Sequence, residues 1–408
     1  MLEVHGKGLA RMGTRMRMMV VLALLVGLHD TLASQQKPPV PVNNQEAETQ
    51  RIMAKYKDVI DRGLEWLATQ QFRDGHWEAL NGYYPVAMTG LAGLALLAEG
   101  STITQGKFAR HIENAVDYLI NRYQKKTGQI GNPGDLREQH RYMYAHGFAT
   151  LFLAQVYGEE SDESRRKELE KVLAGAVDFI GKAQTKLGGW GYVSAADSGA
   201  ADFDEGSVTI TQLQALRAAK NAGIPVAREI IEKASDYLKK STMISVRHAS
   251  QPFKDEAGVI YSLRQGGSNI RPPLTAAGIA CMFSSGEYQN EQALKWLNYC
   301  QRHIPIDKTG RDSFGHWEYT HFYYSQVIYI LGEDRHAKMR PDLAQLEQSG
   351  KTALLKWSRY RSIIFDYIAS RQNADGSWSQ GYIGPVYTTS LHLIILQLDK
   401  GNLPIYQR

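Results

Sequence analysis

Apolar residues recur along the chain in two alternating patterns, and both patterns predict helices. The first kind of segment is amphipathic and ends in a polar turn. The second is apolar almost throughout and rich in small residues, with spacings of three and four as in Leu91, Leu94 and Ala98, which favours a buried helix. The apolar segments are residues 86–97, 144–156, 208–219, 276–283, 323–331 and 386–398. Each pair of segments therefore predicts one helical hairpin.

The turn between the two helices of a hairpin carries a repeated motif. The stretches from Gln71 to Trp77 and from Gln372 to Trp378 both read Gln-x-x-Asp-Gly-x-Trp. Weaker copies of the motif end at Trp190, Trp317, Ile130 and Ile260. Six such units cover nearly the whole chain beyond residue 50, which is typical of a repeat protein.

Six hairpins with amphipathic outer helices and apolar inner helices can close into a ring, with the N-termini of the inner helices around one mouth. The repeats resemble the QW repeats of squalene-hopene cyclases and, more broadly, the α/α toroid that terpenoid cyclases share with protein prenyltransferases. The chain looks like a secreted bacterial subgroup of these prenyltransferase/squalene oxidase repeat proteins. The resemblance implies an all-α fold, an α6/α6 toroid of six repeats over residues 51–408.

The resemblance also implies a structural role for the motif residues. In the family, the glutamine caps exposed helix-end groups and the tryptophan stacks across it, which ties neighbouring hairpins together. The residues to which this role is carried over are Gln71, Trp77, Gln184, Trp190, Trp317, Gln372 and Trp378.

The N-terminal segment predicts export. Three arginines precede the apolar run 18–28, and small residues around Ala33 form a cleavage site, as in a secretory signal peptide. The run is too short to span a bilayer comfortably. We expect residues 1–33 to be a signal peptide, residues 34–50 to be a Pro-rich leader, and the protein to be secreted or periplasmic. An uncleaved membrane anchor is the alternative.

Composition and charge exclude several classes of protein. Apolar residues make up 43% of the chain and charged residues 22%, as in a globular protein with a large core. The net charge of +5 is too small to indicate a nucleic-acid partner. Cys281 and Cys300 permit at most one disulfide. We predict no cofactor, because neither cysteine has the position expected of a prenyltransferase zinc ligand and the chain contains no Asp-Asp pair.

An acidic run precedes the third apolar segment. Residues 202–205 read Asp-Phe-Asp-Glu, and class II terpene cyclases are similar in using Asp-x-Asp-Asp there, with the middle residue as proton donor. The resemblance implies catalytic roles for Asp202, Asp204 and Glu205, with Asp204 as the acid. Two extra residues separate the run from the helix, which departs from the family pattern. The alternative is that Asp204 and Glu205 cap the helix.

Aromatic and imidazole side chains cluster where the mouth of the ring is predicted. Such groups stabilise carbocations or bind cations and sugars, although they could also simply fill a narrow ring. Glu318 and His321 share a helix face, but a single Glu-x-x-His is common by chance, and we predict no metal site. The predicted cavity residues are Tyr84, His140, Tyr142, Tyr144, His146, Glu318, His321, Phe322, Tyr323 and Tyr387.

Three functions fit these features. The first is an exported terpene-cyclase-like protein that binds an isoprenoid or another apolar molecule and, if it is an enzyme, cyclises that molecule as an isomerase by acid-initiated carbocation chemistry. The second is a non-catalytic secreted module that binds a lipid or a glycan, and for both of these peripheral contact with a membrane stays open. The third is a carbohydrate-active lyase or hydrolase, for which Glu318 opposite Asp204 offers paired carboxylates. Protein prenylation is cytosolic and conflicts with the signal peptide.

Overall fold

The computed structural model describes residues 44–407 apart from residues 133, 198–201, 247–254, 268, 285–290, 308–314, 349 and 351–353. The predicted signal peptide lies outside the described residues. In chain order, the helices are α1 (Asn44–Thr69), α2 (Pro85–Glu99), α3 (Ala109–Asn121), α4 (Tyr142–Glu159), α5 (Glu163–Lys182), α6 (Gly206–Asn221), α7 (Arg228–Lys240), α8 (Pro272–Ser284), α9 (Glu291–His303), α10 (Trp317–Leu331), α11 (Arg335–Met339), α12 (Pro341–Gln348), α13 (Trp357–Ser370) and α14 (Pro385–Leu396).

The helices of the unit Glu48–Arg408 form a closed ring of six hairpins. The inner helices are α2, α4, α6, α8, α10 and α14; each packs against the next, and α14 packs back against α2. The outer helices are α1, α3, α5, α7, α9 and α13. Inner helices are buried almost throughout, whereas each outer helix exposes one face. The fold is an α6/α6 toroid, which confirms the predicted fold class.

Three features depart from the plain repeat. Helix α1 begins at Asn44, inside the range predicted as a leader, because residues 44–50 are rich in the helix formers Glu, Gln and Ala. Strands β1 (Thr242–Val246) and β2 (Glu256–Val259) form an antiparallel pair between α7 and α8. The short helices α11 and α12 join α10 to α13.

The described residues also bear on the possible disulfide and on whether a helix could span a membrane. Cys281 and Cys300 are not joined to each other, so the single disulfide that the sequence permits is not formed. Within the described ranges, no helix combines the length and the apolar character that crossing a membrane requires.

The motif glutamines join neighbouring outer helices. Gln71 follows α1, and its side-chain amide donates to Gly75 O in its own turn and to His111 O on α3, both at 2.9 Å. The same pair of bonds joins Gln184 to Gly188 and Ile230, and Gln372 to Gly376 and Val59. Since Val59 lies on α1, the last of these glutamines links the C-terminal repeat to the first and helps to close the ring.

Glycine is required in these turns because the next outer helix approaches closely. Gly75 has a φ of 94°, and a Cβ atom placed on it would lie 2.1 Å from Asn114 O on α3. Gly128, Gly188 and Gly376 have similar φ values, and each meets a backbone carbonyl of the neighbouring outer helix at a comparable distance. Any side chain at these positions would force the two outer helices apart.

The turn tryptophan fixes the register of the inner helix that follows it. Trp77 donates its indole N–H to Leu67 O at 2.7 Å and its backbone N–H to Thr89 Oγ1 on α2 at 3.1 Å. Thr89 in turn donates to Pro85 O, one helical turn earlier. The same bonds link Trp190 to Ile180 and Thr209, and Trp378 to Ile368 and Thr389.

The repeats that contain α8 and α10 depart from this pattern. Val259, rather than the expected Ile260, donates its backbone N–H to Thr275 Oγ1 at 3.0 Å. Trp317 differs from the other motif tryptophans because it begins α10, where Thr320 donates to His316 O as Thr89 does to Pro85 O. We call the six buried residues at this place on the inner helices the register positions. They are Thr89, His146, Thr209, Thr275, Thr320 and Thr389.

The glutamine link predicts a measurable contribution to stability. Gln71→Ala leaves the carbonyl of His111 without its donor, so we expect the free energy of unfolding to fall by about 1–3 kcal/mol. Its exposed neighbour offers a matched control: among the described residues, the side-chain amide of Gln70 donates only to Thr69, and Gln70→Ala is expected to cost less than about 0.5 kcal/mol. Urea unfolding of both variants tests this, and equal losses would contradict a role in joining the helices.

Candidate functional site

A cavity of about 860 Å³ opens at the end of the ring where the inner helices begin. This volume lies within the range of small-molecule binding sites. Each inner helix contributes to the lining the residue two places before its register position. These six residues are Ala87, Tyr144, Ser207, Pro273, Glu318 and Tyr387.

Tyrosine dominates the rest of the lining. Nine tyrosines line the cavity, together with Trp317 and Phe148. Tyr192 stands two residues after its turn tryptophan and packs against Tyr144 with ring centroids 6.0 Å apart. Its hydroxyl is hydrogen-bonded to that of Tyr261, which stands two residues after Val259. The wall therefore combines flat apolar faces with hydroxyl groups.

The acidic run 202–205 is divided between a buried scaffold and the cavity. Asp204 is fully buried and does not line the cavity. Its carboxylate accepts hydrogen bonds from the Tyr237 hydroxyl (2.8 Å) and the backbone N–H of Leu263 (2.8 Å), with further donors from Ser262 and Arg264. Asp202 is half-buried and accepts from the backbone N–H of Lys186 at 3.2 Å. Of the three predicted acids, the cavity therefore contains only Glu205.

Glu205 is the N-cap residue of α6. Its Oε2 accepts hydrogen bonds from the backbone N–H of Val208 (2.9 Å), the hydroxyl of Ser207 (2.5 Å) and the hydroxyl of Tyr144 (3.2 Å). These donors favour the ionised carboxylate, but burial outweighs them and raises the pKa of Glu205. Glu205 therefore caps the helix, as the alternative interpretation expected, and it also faces the cavity.

Glu318 is the second carboxyl group in the cavity lining. It is the second residue of α10, two places before the register position Thr320. Burial raises the pKa of Glu318, and within the described part of the chain no other side chain donates a hydrogen bond to it. Glu318 therefore has fewer contacts that favour its ionised form than Glu205 has.

The other predicted cavity residues divide into three groups. Tyr84, Tyr144 and Tyr387 line the cavity. His321, Phe322 and Tyr323 are buried in the helical core behind it, where Nδ1 of His321 lies 2.7 Å from the Tyr360 hydroxyl and its ring stacks on Trp317. His140 is exposed and lies outside the lining, and Tyr142 is buried, with its hydroxyl bonded to Asp197 and to the backbone N–H of Ser194.

His146 is a register position rather than a cavity residue. Its Nδ1 accepts the backbone N–H of Ile130 at 2.9 Å, and its Nε2 lies 3.1 Å from Ala176 O. Both contacts suit the neutral ring with the proton on Nε2. Complete burial lowers the pKa of His146 to about 4. Its imidazole thus accepts a backbone N–H of the turn, as a threonine hydroxyl does in other repeats.

Several lining residues were missed at the sequence level. Arg141, Tyr192, Tyr261, Arg271, Tyr319 and His392 all line the cavity. A usable signal existed in three repeats, because the second residue after the turn tryptophan lines the cavity at Ala79, Tyr192 and Gln380. Tyr261 instead directly follows Ile260, the last residue of its weaker motif. As for metals, the described residues contain no group of three or more His, Cys, Asp or Glu side chains that could hold an ion.

The solved structures that are similar to this chain include an α-1,6-mannanase. A scan of the sequence against protein-family models gives no match, and a search of curated proteins gives none either. The GH76A α-1,6-mannanase from Salegentibacter sp. HEL1_6 is similar with a TM-score of 0.53 and 9% identity, over 85% of this chain and 99% of that one. An inactive variant of that enzyme, solved with α-1,6-mannotriose, also gives a TM-score of 0.53 at 9% identity, over 84% and 98%. The likeness is one of fold.

These findings correct the expected family and function. The inferred relationship to terpenoid cyclases is wrong, since the toroids that match are α-mannanases. Three further predictions are wrong for the same reason: that the ligand is an isoprenoid or another apolar molecule, that the activity is that of a cyclase-type isomerase, and that the protein carries an apolar ligand. The physical reason lies in the site: Asp204, the presumed proton donor, is bonded within the scaffold, and the cavity carries glutamates and arginines. Sequence reasoning was misled because helical repeats of this kind specify a ring and not its chemistry.

Unfolding measurements can test whether Asp204, unlike Asp202, is part of the buried scaffold. Asp204→Asn replaces an acceptor of several hydrogen bonds by a group that also carries donors, so we expect unfolding to become easier by about 2–4 kcal/mol. Asp202→Asn makes the same chemical change at a half-exposed site and should cost less than about 1 kcal/mol. Thermal and urea unfolding measure both. A small effect of Asp204→Asn would show that the carboxylate is not part of the scaffold.

Proposed function

We propose that this chain is a glycoside hydrolase that cleaves a glycan within the cavity, with Glu205 and Glu318 as its paired carboxyl groups. The observation that carries the proposal is that these two acids, from α6 and α10, line one aromatic cavity and both have raised pKa values. Glycoside hydrolysis needs two such groups, one to give a proton and one to accept one.

Buried polar atoms in the cavity wall support a hydroxyl-rich ligand. Within the described residues, Trp317 Nε1, the Tyr319 hydroxyl, Gln380 Oε1 and both ring nitrogens of His392 are buried without a hydrogen-bond partner, and all four residues line the cavity. Buried polar groups in folded proteins are nearly always paired. A sugar supplies donors and acceptors for such atoms as well as apolar faces that stack on aromatic rings.

The different surroundings of the two glutamates indicate their roles. Three donors converge on Glu205 at the start of α6, which favours its carboxylate form and suits a base. Burial is the main influence on the pKa of Glu318, and it favours the protonated form, which suits an acid. Glu318 gives its proton to the glycosidic oxygen as the bond from that oxygen to the anomeric carbon breaks. Glu205 takes a proton from the water whose oxygen forms the new bond to that carbon.

The nature of the similar structures supports a polysaccharide as substrate. The α-1,6-mannanase has this fold, and its inactive variant was solved with α-1,6-mannotriose bound. α-Mannan is therefore the first polysaccharide to test. Export belongs to the same proposal, because the predicted signal peptide would deliver the enzyme to where polysaccharides occur.

Removal of either carboxyl group should abolish hydrolysis. We expect the protein to release reducing ends from at least one member of a polysaccharide panel that includes α-1,6-mannan. Glu205→Gln and Glu318→Gln should each lower kcat by about 100-fold or more, the usual contribution of a general acid or base. Glu333→Gln, at an exposed residue bonded to Ser358, should leave kcat unchanged. Release from no polysaccharide, or full activity of both variants, would contradict the proposal.

The assigned roles also predict the pH dependence of the reaction. Activity should rise as pH increases through the pKa of Glu205, which must ionise, and fall as pH increases through the pKa of Glu318, which must keep its proton. Since burial raises both values above the usual 4.5, both limbs should lie above pH 4.5. The residual activity of Glu318→Gln should lose the alkaline limb and keep the acidic one. Loss of the acidic limb instead would reverse the two roles.

A further inference from the structure

Two arginines at the mouth of the cavity have no acidic partner among the described residues. Arg141 and Arg271 both line the cavity and are exposed. A third arginine nearby shows the contrast, since Arg137 forms ion pairs with Asp135 (2.8 Å) and Glu78 (2.7 Å). Arg137 is therefore neutralised within the protein, whereas the charges of Arg141 and Arg271 are not.

Arg141 is held through its side chain and Arg271 through its backbone, and neither contact neutralises the charge. The guanidinium group of Arg141 lies 4.7 Å from the centre of the Tyr192 ring, in a cation–π contact. The backbone of Arg271 is fixed on both sides, because its N–H donates to Val259 O at 2.9 Å and its carbonyl accepts from Thr275 Oγ1 at 2.9 Å. A guanidinium group on such an anchored base loses less freedom when it binds an anion.

The register of the ring places these arginines beside the proposed acid and base. Arg271 and Glu205 occupy equivalent positions, four residues before the register positions of the neighbouring helices α8 and α6. Arg141 immediately precedes α4, the neighbour of α6 on its other side. Around the mouth the order is thus Arg141, Glu205, Arg271 and Glu318, and within the described residues no hydrogen bond or ion pair joins either arginine to either glutamate.

Guanidinium groups without an acidic partner in a binding site suit carboxylate or sulfate oxygens, which they bind in a bidentate manner. We propose that the natural substrate is an anionic glycan, with a uronate carboxylate or a sulfate ester bound by Arg141 and Arg271 on the sugar units next to the bond that is cleaved. This inference rests on the proposed glycoside hydrolase function and adds the class of its substrate. It distinguishes this protein from a hydrolase of neutral mannan.

Calorimetric titration of defined oligosaccharides tests the inference. The probes are an oligogalacturonate, a sulfated galactan oligosaccharide and the neutral α-1,6-mannotriose. They are titrated into Glu318→Gln so that turnover is slow while binding is measured. Arg141→Gln and Arg271→Gln are added to that background. Arg228→Gln, at a 90% exposed residue on the outer helix α7, makes the same change of charge away from the cavity.

We expect at least one acidic probe to bind about tenfold more tightly than mannotriose, with an affinity that falls as salt rises. Each mouth-arginine variant should weaken that binding by about tenfold or more, and Arg228→Gln should not change it. Tight binding of the oligogalacturonate alone assigns a carboxylate, and tight binding of the sulfated probe alone assigns a sulfate ester.

Two results would overturn the inference, and they differ in what they imply for the hydrolase. If mannotriose binds best, or if the arginine variants bind acidic probes as before, the substrate is not selected by charge, while the proposed hydrolase stands. If none of the probes binds and no polysaccharide is cleaved, the proposed function fails together with the inference.

Discussion

The cavity depends on one repeated hydrogen bond, from a backbone N–H of the turn to a buried side chain on the inner helix. In the first repeat this bond runs from Trp77 to Thr89, and its counterparts in the described residues fix where α4, α6, α8 and α14 start relative to the ring. Since the register position is set, the residue two places earlier points into the mouth on every inner helix. A change of one residue in this register would turn that side chain away from the cavity.

The same constraint explains how far the sequence could be interpreted. The ring itself was predictable, because the alternating helix patterns recur six times, with two full copies and four weaker copies of the Gln-x-x-Asp-Gly-x-Trp turn. The place of the mouth was predictable for the same reason. Glu318 and Tyr144 were included among the cavity residues because they lie at the starts of apolar helices.

The chemistry was not predictable to the same degree, since a run of acids does not reveal which carboxylate faces inward. Asp204 and Glu205 are adjacent, yet one accepts bonds from the loop around Leu263 and the other caps α6 beside the cavity. His146 was similarly misplaced, because an imidazole that replaces a threonine hydroxyl can be recognised only when the register is known. Arg141 and Arg271 belong to no recognisable motif. Their proposed role in binding an anion is inferred from the lack of acidic partners among the described residues.

The mouth of the ring therefore combines two kinds of group that would neutralise one another if they were paired. Burial raises the pKa of both glutamates, the guanidinium group of Arg141 stacks on Tyr192, and the backbone of Arg271 is hydrogen-bonded to Val259 and Thr275. Alternating arginines and glutamates suit the proposed substrate, because its negatively charged group and the glycosidic bond that is cleaved are at different places on the sugar chain.

The measurement that tests the central claim most directly is the crystal structure of Glu318→Gln with an oligosaccharide that the protein binds. The account predicts that the sugar lies in the cavity with a glycosidic oxygen next to position 318, a water or the anomeric carbon facing Glu205, and hydroxyls bonded to Trp317 Nε1 and His392. An oligosaccharide bound elsewhere on the surface, or one that leaves both glutamate positions without contact, would contradict it.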